Sequence, residues 1–438
     1  MHEIKTRFAP SPTGFLHLGG LRTALYNYLF AKQNSGEFIL RIEDTDRART
    51  VDGAEENIIE TLKTFGLYFD KGPIRQSENL DRYRECTQEL INKGAAYKDG
   101  DAVRFKMIKD GATVFEDIIR GEIKIENKLQ EDFVILKSDG YPTYNLAHLV
   151  DDHDMAITHV IRGEEFISSM PKYAALHRAF DWEIPRYAHL PLLLDKNRAK
   201  LSKREGEMSV YDFLHKGYLK EAIINFVALL GWHPSKSDKE LFSLEELTNE
   251  FRLEHVQKSG AIFDMTKLDW INREYIKRMP VETLFERVKE YGEKDQSFKI
   301  GGVEFNKERV LKILELEKPR LTTFSELPKI FFMFNVEPKY NPELLKWKKM
   351  TNAEINKSLE ISNNIIESID DANFTKEYLE KIFLEHAKEF KDRGELLWPF
   401  RAALSGKESS PGPFEISEIL GKEESLRRVK KAIELLRG

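Results

Sequence analysis

The sequence predicts an α/β parallel-sheet domain with an α+β insertion, followed by all-α C-terminal domains. Elements near the N-terminus alternate strand, helix, strand, helix; a middle stretch turns to short alternating strands; and almost everything after Ser209 carries helical periodicity. With 438 residues, 41% of them hydrophobic and 11% aromatic, the chain exceeds one ordinary core and has the apolar material for several.

In order, residues 4–8 are β-compatible, and Pro10, Pro12 and Gly14 break the strand. Leu18, Leu21, Leu25, Tyr28 and Leu29 recur at helical spacing to about Gln33. Ser35-Gly36 ends that helix, and 38–42 reads as a buried strand. Residues 53–67 form a helix with Ile58, Ile59, Leu62 and Phe65 on one face. That order implies parallel strands covered by helices. From about Lys93 the texture changes, and 103–107, 114–125 and 133–137 read as antiparallel strands of an inserted subdomain. Stretches 154–162 and 188–194 resume buried-strand character around a helical 169–180, so the parallel sheet returns. Beyond Ser209, helices are expected at 210–217, 219–230, 244–250, 281–291, 307–316, 352–369, 376–390, 398–404 and 422–436. Ser243 with Glu246 forms a capping box for the third of these.

No apolar run reaches the length of a membrane span, and the N-terminus has no apolar export segment. Cys86 is the lone cysteine, which rules out an internal disulfide and any multi-cysteine zinc cluster. These features point to a soluble cytoplasmic protein. The net charge of −6 leaves nucleic-acid binding open, because binding depends on where the basic residues face.

Three motifs carry chemistry. Arg7-Phe8-Ala9-Pro10-Ser11-Pro12-Thr13-Gly14-Phe15-Leu16-His17-Leu18-Gly19-Gly20 joins the first strand to the first helix. Amides at a helix start suit a polyphosphate, glycines allow close approach, and a histidine near the α-phosphate stabilises charge there. Standing alone, His17 could simply cap the helix. Lys200-Leu201-Ser202-Lys203-Arg204 follows an apolar strand; its lysines can offset charge building on a reacting phosphate, although alone it could be a solvated basic loop. Arg41-Ile42-Glu43-Asp44-Thr45-Asp46-Arg47-Ala48-Arg49 follows the second strand, where ligands of open α/β sheets bind, and a carboxylate there suits an ammonium group.

The first two motifs together resemble the paired ATP-binding signatures of class I aminoacyl-tRNA synthetases, here His17-Leu18-Gly19-Gly20 and Lys200-Leu201-Ser202-Lys203-Arg204. The third, with Lys137-Ser138-Asp139-Gly140-Tyr141-Pro142-Thr143-Tyr144 and Val160-Ile161-Arg162-Gly163-Glu164-Glu165, is similar to the glutamyl- and glutaminyl-tRNA synthetase branch. The likeness runs over nearly the whole chain, including Phe400-Arg401-Ala402-Ala403-Leu404-Ser405-Gly406, and points to glutamyl-tRNA synthetases of the bacterial kind.

The resemblance implies a Rossmann-like catalytic domain over 1–92 and 144–208, an acceptor-binding insertion at 93–143, a helical stem-contact domain at 209–300 and a helical anticodon-binding domain at 301–438. Arg7, Ser11, Glu43, Tyr144 and Arg162 would hold glutamate, with Glu43 on the α-ammonium and the two arginines on the carboxylates. Ala9, His17, Gly19, Glu165, Leu193, Lys200 and Lys203 would contact ATP, and His17, Lys200 and Lys203 would be catalytic. Glutamate and ATP, the latter with Mg²⁺, would give glutamyl-adenylate, then glutamyl-tRNA. No protein metal site and no zinc are expected. The partners would be tRNA for glutamate and, since 365–373 has no arginine, tRNA for glutamine too; a monomer is expected.

The sequence departs from the pattern at Gly20, where the broader class often has histidine, and a family polar position near Tyr144 is taken here by His148. The basic stretches Lys346-Trp347-Lys348-Lys349 and Arg427-Arg428-Val429-Lys430-Lys431 are candidate tRNA contacts or solvated helix faces. The alternatives are a glutaminyl-tRNA synthetase, which needs no cation such as Arg162 for its amide substrate, a glutamate-activating tRNA-modifying paralogue, which needs no long helical tail, and a small-molecule adenylyltransferase.

Overall fold

The computed structural model describes residues 3–199, 201, 209–235, 238–294 and 307–437. The chain forms two compact units, Met1–Ile271 and Asn272–Gly438, and the division falls inside a helix, Met265–Arg278.

In the first unit, β1 (Lys5–Phe8), β2 (Glu37–Ile42) and β3 (Lys71–Arg75) pair in parallel in the order β1-β2-β3. Phe38, Ile39, Leu40 and Ile42 of β2 are all buried, so both faces of the strand are covered, as a parallel sheet requires. One cover is α1 (Leu18–Gln33), which packs on β1 and β2 through a face including Leu21, Leu25 and Leu29. Two further helices, α2 (Ala54–Thr64) and α3 (Leu80–Asn92), precede the insertion.

The stretch 93–143 divides between two sheets. β4 (Ala96–Asp99), β5 (Ala102–Phe105) and β8 (Phe133–Leu136) make a small antiparallel sheet. Between them, β6 (Ala112–Asp117) and β7 (Gly121–Glu126) form a hairpin that joins the sheet of β9 (His159–Gly163) and β10 (Arg186–Leu190), in the order β7-β6-β10-β9. The Asp117 carboxylate accepts from the amides of Ile119 and Arg120 at 3.0 Å each, which fixes the hairpin turn.

The returning strand lies beside the first: Thr158 N donates to Lys5 O at 3.1 Å, and Lys5 N donates to Thr158 Oγ1 at 2.9 Å. The parallel strands therefore run β3-β2-β1-β9-β10, with the order reversing between β1 and β9. In doubly wound sheets such a reversal opens a crevice at the carboxyl ends of the strands. The helices α4 (Tyr144–Asp154) and α5 (Met170–Phe180) flank β9. After β10 comes β11 (Leu193–Leu194), paired with β12 (Ala261–Ile262).

The rest of this unit and all of the second are mainly helical. Ser243 caps the helix Leu244–Glu250 with the expected reciprocal bonds: its hydroxyl accepts from Glu246 N at 3.1 Å, and its own N–H donates to the Glu246 carboxylate at 2.8 Å. The second unit is built on Val281–Lys294, Lys307–Glu317, Leu327–Asn335, Asn352–Ser368, Lys376–His386, Gly394–Ser405, Pro413–Leu420 and Lys422–Arg437. Among the described residues no helix is long and apolar enough to cross a membrane.

Candidate active site

A cleft of about 1480 Å³ opens at the sheet reversal. Arg7 reaches it from the end of β1, Glu43 from just beyond β2, and Arg162 from near the end of β9. Ala9 and Ser11 line it from the loop after β1, His17 and Gly19 from the start of α1, and Tyr144 from the start of α4. Glu165 and Leu193 complete the wall beyond β9 and β10. The structure thus gathers every expected contact residue that it describes; Lys200 and Lys203 lie outside the described residues.

On the nucleotide side, His17 caps α1, its Nδ1 accepting from Gly20 N at 3.2 Å. In a neutral ring the proton then sits on Nε2, which makes that atom a donor suited to phosphate oxygen. A Cβ on Gly19 would lie 3.1 Å from the His17 ring and 3.8 Å from Leu193, and one on Gly20 would press to 2.6 Å from Leu16. A side chain at this second glycine, where the broader class often has histidine, would therefore need Leu16 to shift. A Cβ on Gly163 would collide with the Glu165 carboxylate, so this glycine lets Glu165 fold back against the strand end. The turn carrying Leu193 is clamped by Arg22, whose guanidinium donates to Pro191 O at 2.5 Å and Leu230 O at 3.2 Å, and by Glu164, which accepts from Leu192 N at 2.8 Å.

On the amino-acid side, a buried charge network absent from the sequence reading sets the electrostatics. Arg41 is completely buried. It donates to Asp152 at 2.7 Å and Glu43 at 3.0 Å, with Asp151 at 3.7 Å. Arg7 also binds Asp152, through Nε at 3.0 Å and Nη2 at 3.4 Å. Burial alone would raise the Asp152 carboxyl, but Arg7 and Arg41 hold it well below the usual carboxylate range. Burial pushes the Glu43 carboxyl above its ordinary value against the pull of Arg41 and Arg7. The guanidiniums of Arg7 and Arg41 thus face the carboxyls of Glu43, Asp151 and Asp152, leaving an excess of negative charge that a ligand ammonium would relieve.

Arg162 presents the opposite case. It is 4% exposed and, among the described residues, makes no ion pair. Its Nε donates to His189 Nε2 at 3.3 Å, and Nη1 lies 3.5 Å from the Tyr144 hydroxyl. The rings of Phe166, Tyr173 and Tyr187 surround it at 4.8, 4.8 and 5.1 Å. Aromatic faces offset part of the cost of burying a cation, but they do not replace a counter-ion. His148 stands behind this wall. It stacks on Tyr144 with centroids 4.5 Å apart, places Nδ1 2.6 Å from Tyr144 O, and is kept neutral first of all by burial.

Sequence reasoning missed Arg41, Asp151, Asp152, Asp117 and His189. Arg41 and His189 left a trace, each a polar residue inside an apolar run, which must find a partner when buried; Asp117, beside Glu116, and Asp151 and Asp152, in the run Asp151-Asp152-His153-Asp154, left none. Of the two basic stretches, 427–431 is largely committed within its own unit. Arg428 is 1% exposed and donates to Met333 O, Leu404 O and Val336 O, while Arg427 pairs with Glu424 and Lys430 with Glu367.

A doubly wound sheet whose reversal opens a cleft between a helix start and buried arginines and carboxylates is the architecture of a class I aminoacyl-tRNA synthetase. The comparisons agree. The family described as tRNA synthetases class I (E and Q), catalytic domain, matches residues 3–102 and 99–270, and an anticodon binding domain matches 283–433. The chain is 42% identical to the glutamate–tRNA ligase of Clostridium novyi, over 99% of this chain and 98% of that protein, and 42% identical to that of Clostridium kluyveri, over 100% and 99%. A crystal structure of a glutamate tRNA ligase from Elizabethkingia meningosepticum in complex with its amino acid superposes with a TM-score of 0.88 at 33% identity, covering 99% of both chains. The chain belongs to the glutamate–tRNA ligase family.

Proposed function

We propose that this protein activates L-glutamate with ATP as glutamyl-adenylate and transfers the glutamyl group to the terminal ribose of tRNA. The observation that carries the choice of glutamate is Arg162: a buried guanidinium with no counter-ion among the described residues, lining the cleft, calls for a carboxylate. Glu43, whose carboxyl burial pushes above its ordinary value despite Arg41 and Arg7, takes the α-ammonium. Arg7 is already answered by Asp152, which supports Arg162 as the partner of the side-chain carboxylate. Tyr144 and Ser11 complete the amino-acid pocket. ATP enters as its Mg²⁺ complex along Ala9, His17, Gly19, Glu165 and Leu193, with Lys200 and Lys203 closing over the phosphates. The protein acts as a cytoplasmic monomer. Charging a panel of purified tRNAs with labelled glutamate and glutamine tests this; glutamine incorporation equal to glutamate would refute it.

A broader tRNA range is the finer part of the proposal. The stretch 365–373 at the end of helix Asn352–Ser368 contains no arginine, and its Glu367 is paired with Lys430 at 2.9 Å. Without a guanidinium to read a base edge there, discrimination against tRNA for glutamine weakens. Both tRNAs are expected to be charged. A preference of about a thousandfold, roughly two good base contacts, would overturn the idea.

A further inference from the structure

Taking Arg162 as the partner of the substrate's side-chain carboxylate, as proposed above, we propose that Asp117 and His189 form a positioning pair that orients Arg162, so that the choice of glutamate over glutamine depends on the tautomer of His189. His189 on β10 is the cross-strand neighbour of Arg162 on β9, and it is completely buried. Its Nδ1 lies 2.6 Å from Asp117 Oδ2, and its Nε2 lies 3.3 Å from Arg162 Nε. The backbone amide of His189 also donates to Asp117 Oδ2, at 3.1 Å. With the turn amides on Oδ1, the carboxylate gathers donors on both oxygens, and donors to a carboxylate keep it ionised. An ionised carboxylate at Nδ1 demands a proton on Nδ1, which leaves Nε2 as a bare lone pair. That lone pair is the acceptor for Arg162 Nε–H. A guanidinium is planar, so fixing Nε and the aromatic walls fixes the direction of both Nη groups. The hairpin that seemed part of a separate insertion thus supplies, through Asp117, the last link of a chain ending in the amino-acid pocket.

Three variants separate this role from simple packing. His189→Gln can place an acceptor near the old Nε2 but loses Asp117. His189→Asn can keep a donor for Asp117 but offers nothing to Arg162. Asp117→Asn is the most specific. Two turn amides hold an oxygen at the Oδ1 position against the single His189 amide at Oδ2, so the new NH₂ faces His189 Nδ1 and gives up the bond from the His189 backbone N–H. The ring then carries its proton on Nε2, donor against donor with Arg162 Nε–H.

Glutamate and glutamine kinetics are measured on the full chain with tRNA present, alongside Arg162→Gln and melting curves. His189→Asn and Asp117→Asn are expected to raise KM for glutamate and narrow the glutamate-to-glutamine ratio by about tenfold or more, with kcat and KM for MgATP within about threefold. His189→Gln is expected to stay within about threefold of the parent in that ratio. Long-range ¹⁵N spectra of the histidines should show the Nδ1–H tautomer for His189 in the parent and the swapped tautomer in Asp117→Asn. If Arg162→Gln loses discrimination while a folded His189→Asn or Asp117→Asn keeps it, the positioning role is wrong. Equal losses in His189→Asn and His189→Gln also overturn it. If Arg162→Gln discriminates like the parent, the assignment of Arg162 itself fails.

Discussion

At the scale of single residues, Asp152 is the pivot of the amino-acid side, because it neutralises Arg7 and Arg41 together. Removing one partner of a buried ion pair strands the other charge, at about 3–5 kcal/mol. Asp152→Asn should therefore shift the denaturant midpoint strongly at neutral pH. Its folded pKa lies below the unfolded value, so the stabilisation is complete above about pH 4 and is lost as pH falls through the folded value. The gap between parent and variant should accordingly shrink in acid; a constant gap would mean that the loss is steric. Glu43 has the opposite sign. Its folded pKa is raised, so its contribution to stability is lost as pH rises through that value, and at neutral pH its ionised form is retained at a cost to folding. Glu43→Gln should melt no lower than the parent at pH 7 yet bind glutamate far more weakly in calorimetry.

At the scale of elements, the turn after β9 holds Arg162 and Glu165 together by virtue of Gly163. Gly163→Ala drives a Cβ into the Glu165 carboxylate. Since Glu165 is assigned to ATP, KM for MgATP should rise by about tenfold while KM for glutamate changes little, a split that steady-state kinetics would show. The elements themselves were largely legible. Period-3.6 patterns found most helices, a capping box marked the start of Leu244–Glu250, and apolar runs found β2, β9 and β10 though not β3, Lys71–Arg75, because those signals are local. The helix Gly394–Ser405 begins four residues before the expected 398 and carries Pro399 inside it, since tertiary burial of Leu396 and Phe400 outweighs a lost N–H bond. The partition of 93–143 was illegible for a different reason: strand pairing is a long-range choice. Asp117 meets His189 across 72 residues, and no local window reports it. In the same way the motif residues around the cleft were readable from strand-end position and resemblance. The partners that decide their charge, Asp152 and His189, lie far away in sequence.

At the scale of the whole molecule, the chain carries a net −6 charge and divides into two compact units. Separate units generally unfold as separate transitions. Arg428 should report on the second unit alone, because it ties three carbonyls from different segments of that unit. Arg428→Ala leaves those buried acceptors unmatched, costing about 3 kcal/mol or more. Calorimetry should show one transition moving down while the other stays, with glutamate and ATP affinities unchanged. A uniform weakening of tRNA binding without any change in melting would instead make Arg428 a phosphate contact.

The adjacency of β1 and β9 also governs how the chain comes into being. Lys5 and Thr158, which bond across that seam, are separated by 153 residues. At a synthesis rate of about 5–20 residues per second, β1 waits roughly 8–30 s on the ribosome for its neighbour. Throughout that interval the unpaired backbone of β1, Lys5-Thr6-Arg7-Phe8, leaves one edge of the growing sheet open, the kind of surface on which neighbouring chains misassociate. The seam at which the cleft opens therefore closes only once β9 has been made, long after the local helices around β1 and β2 can form.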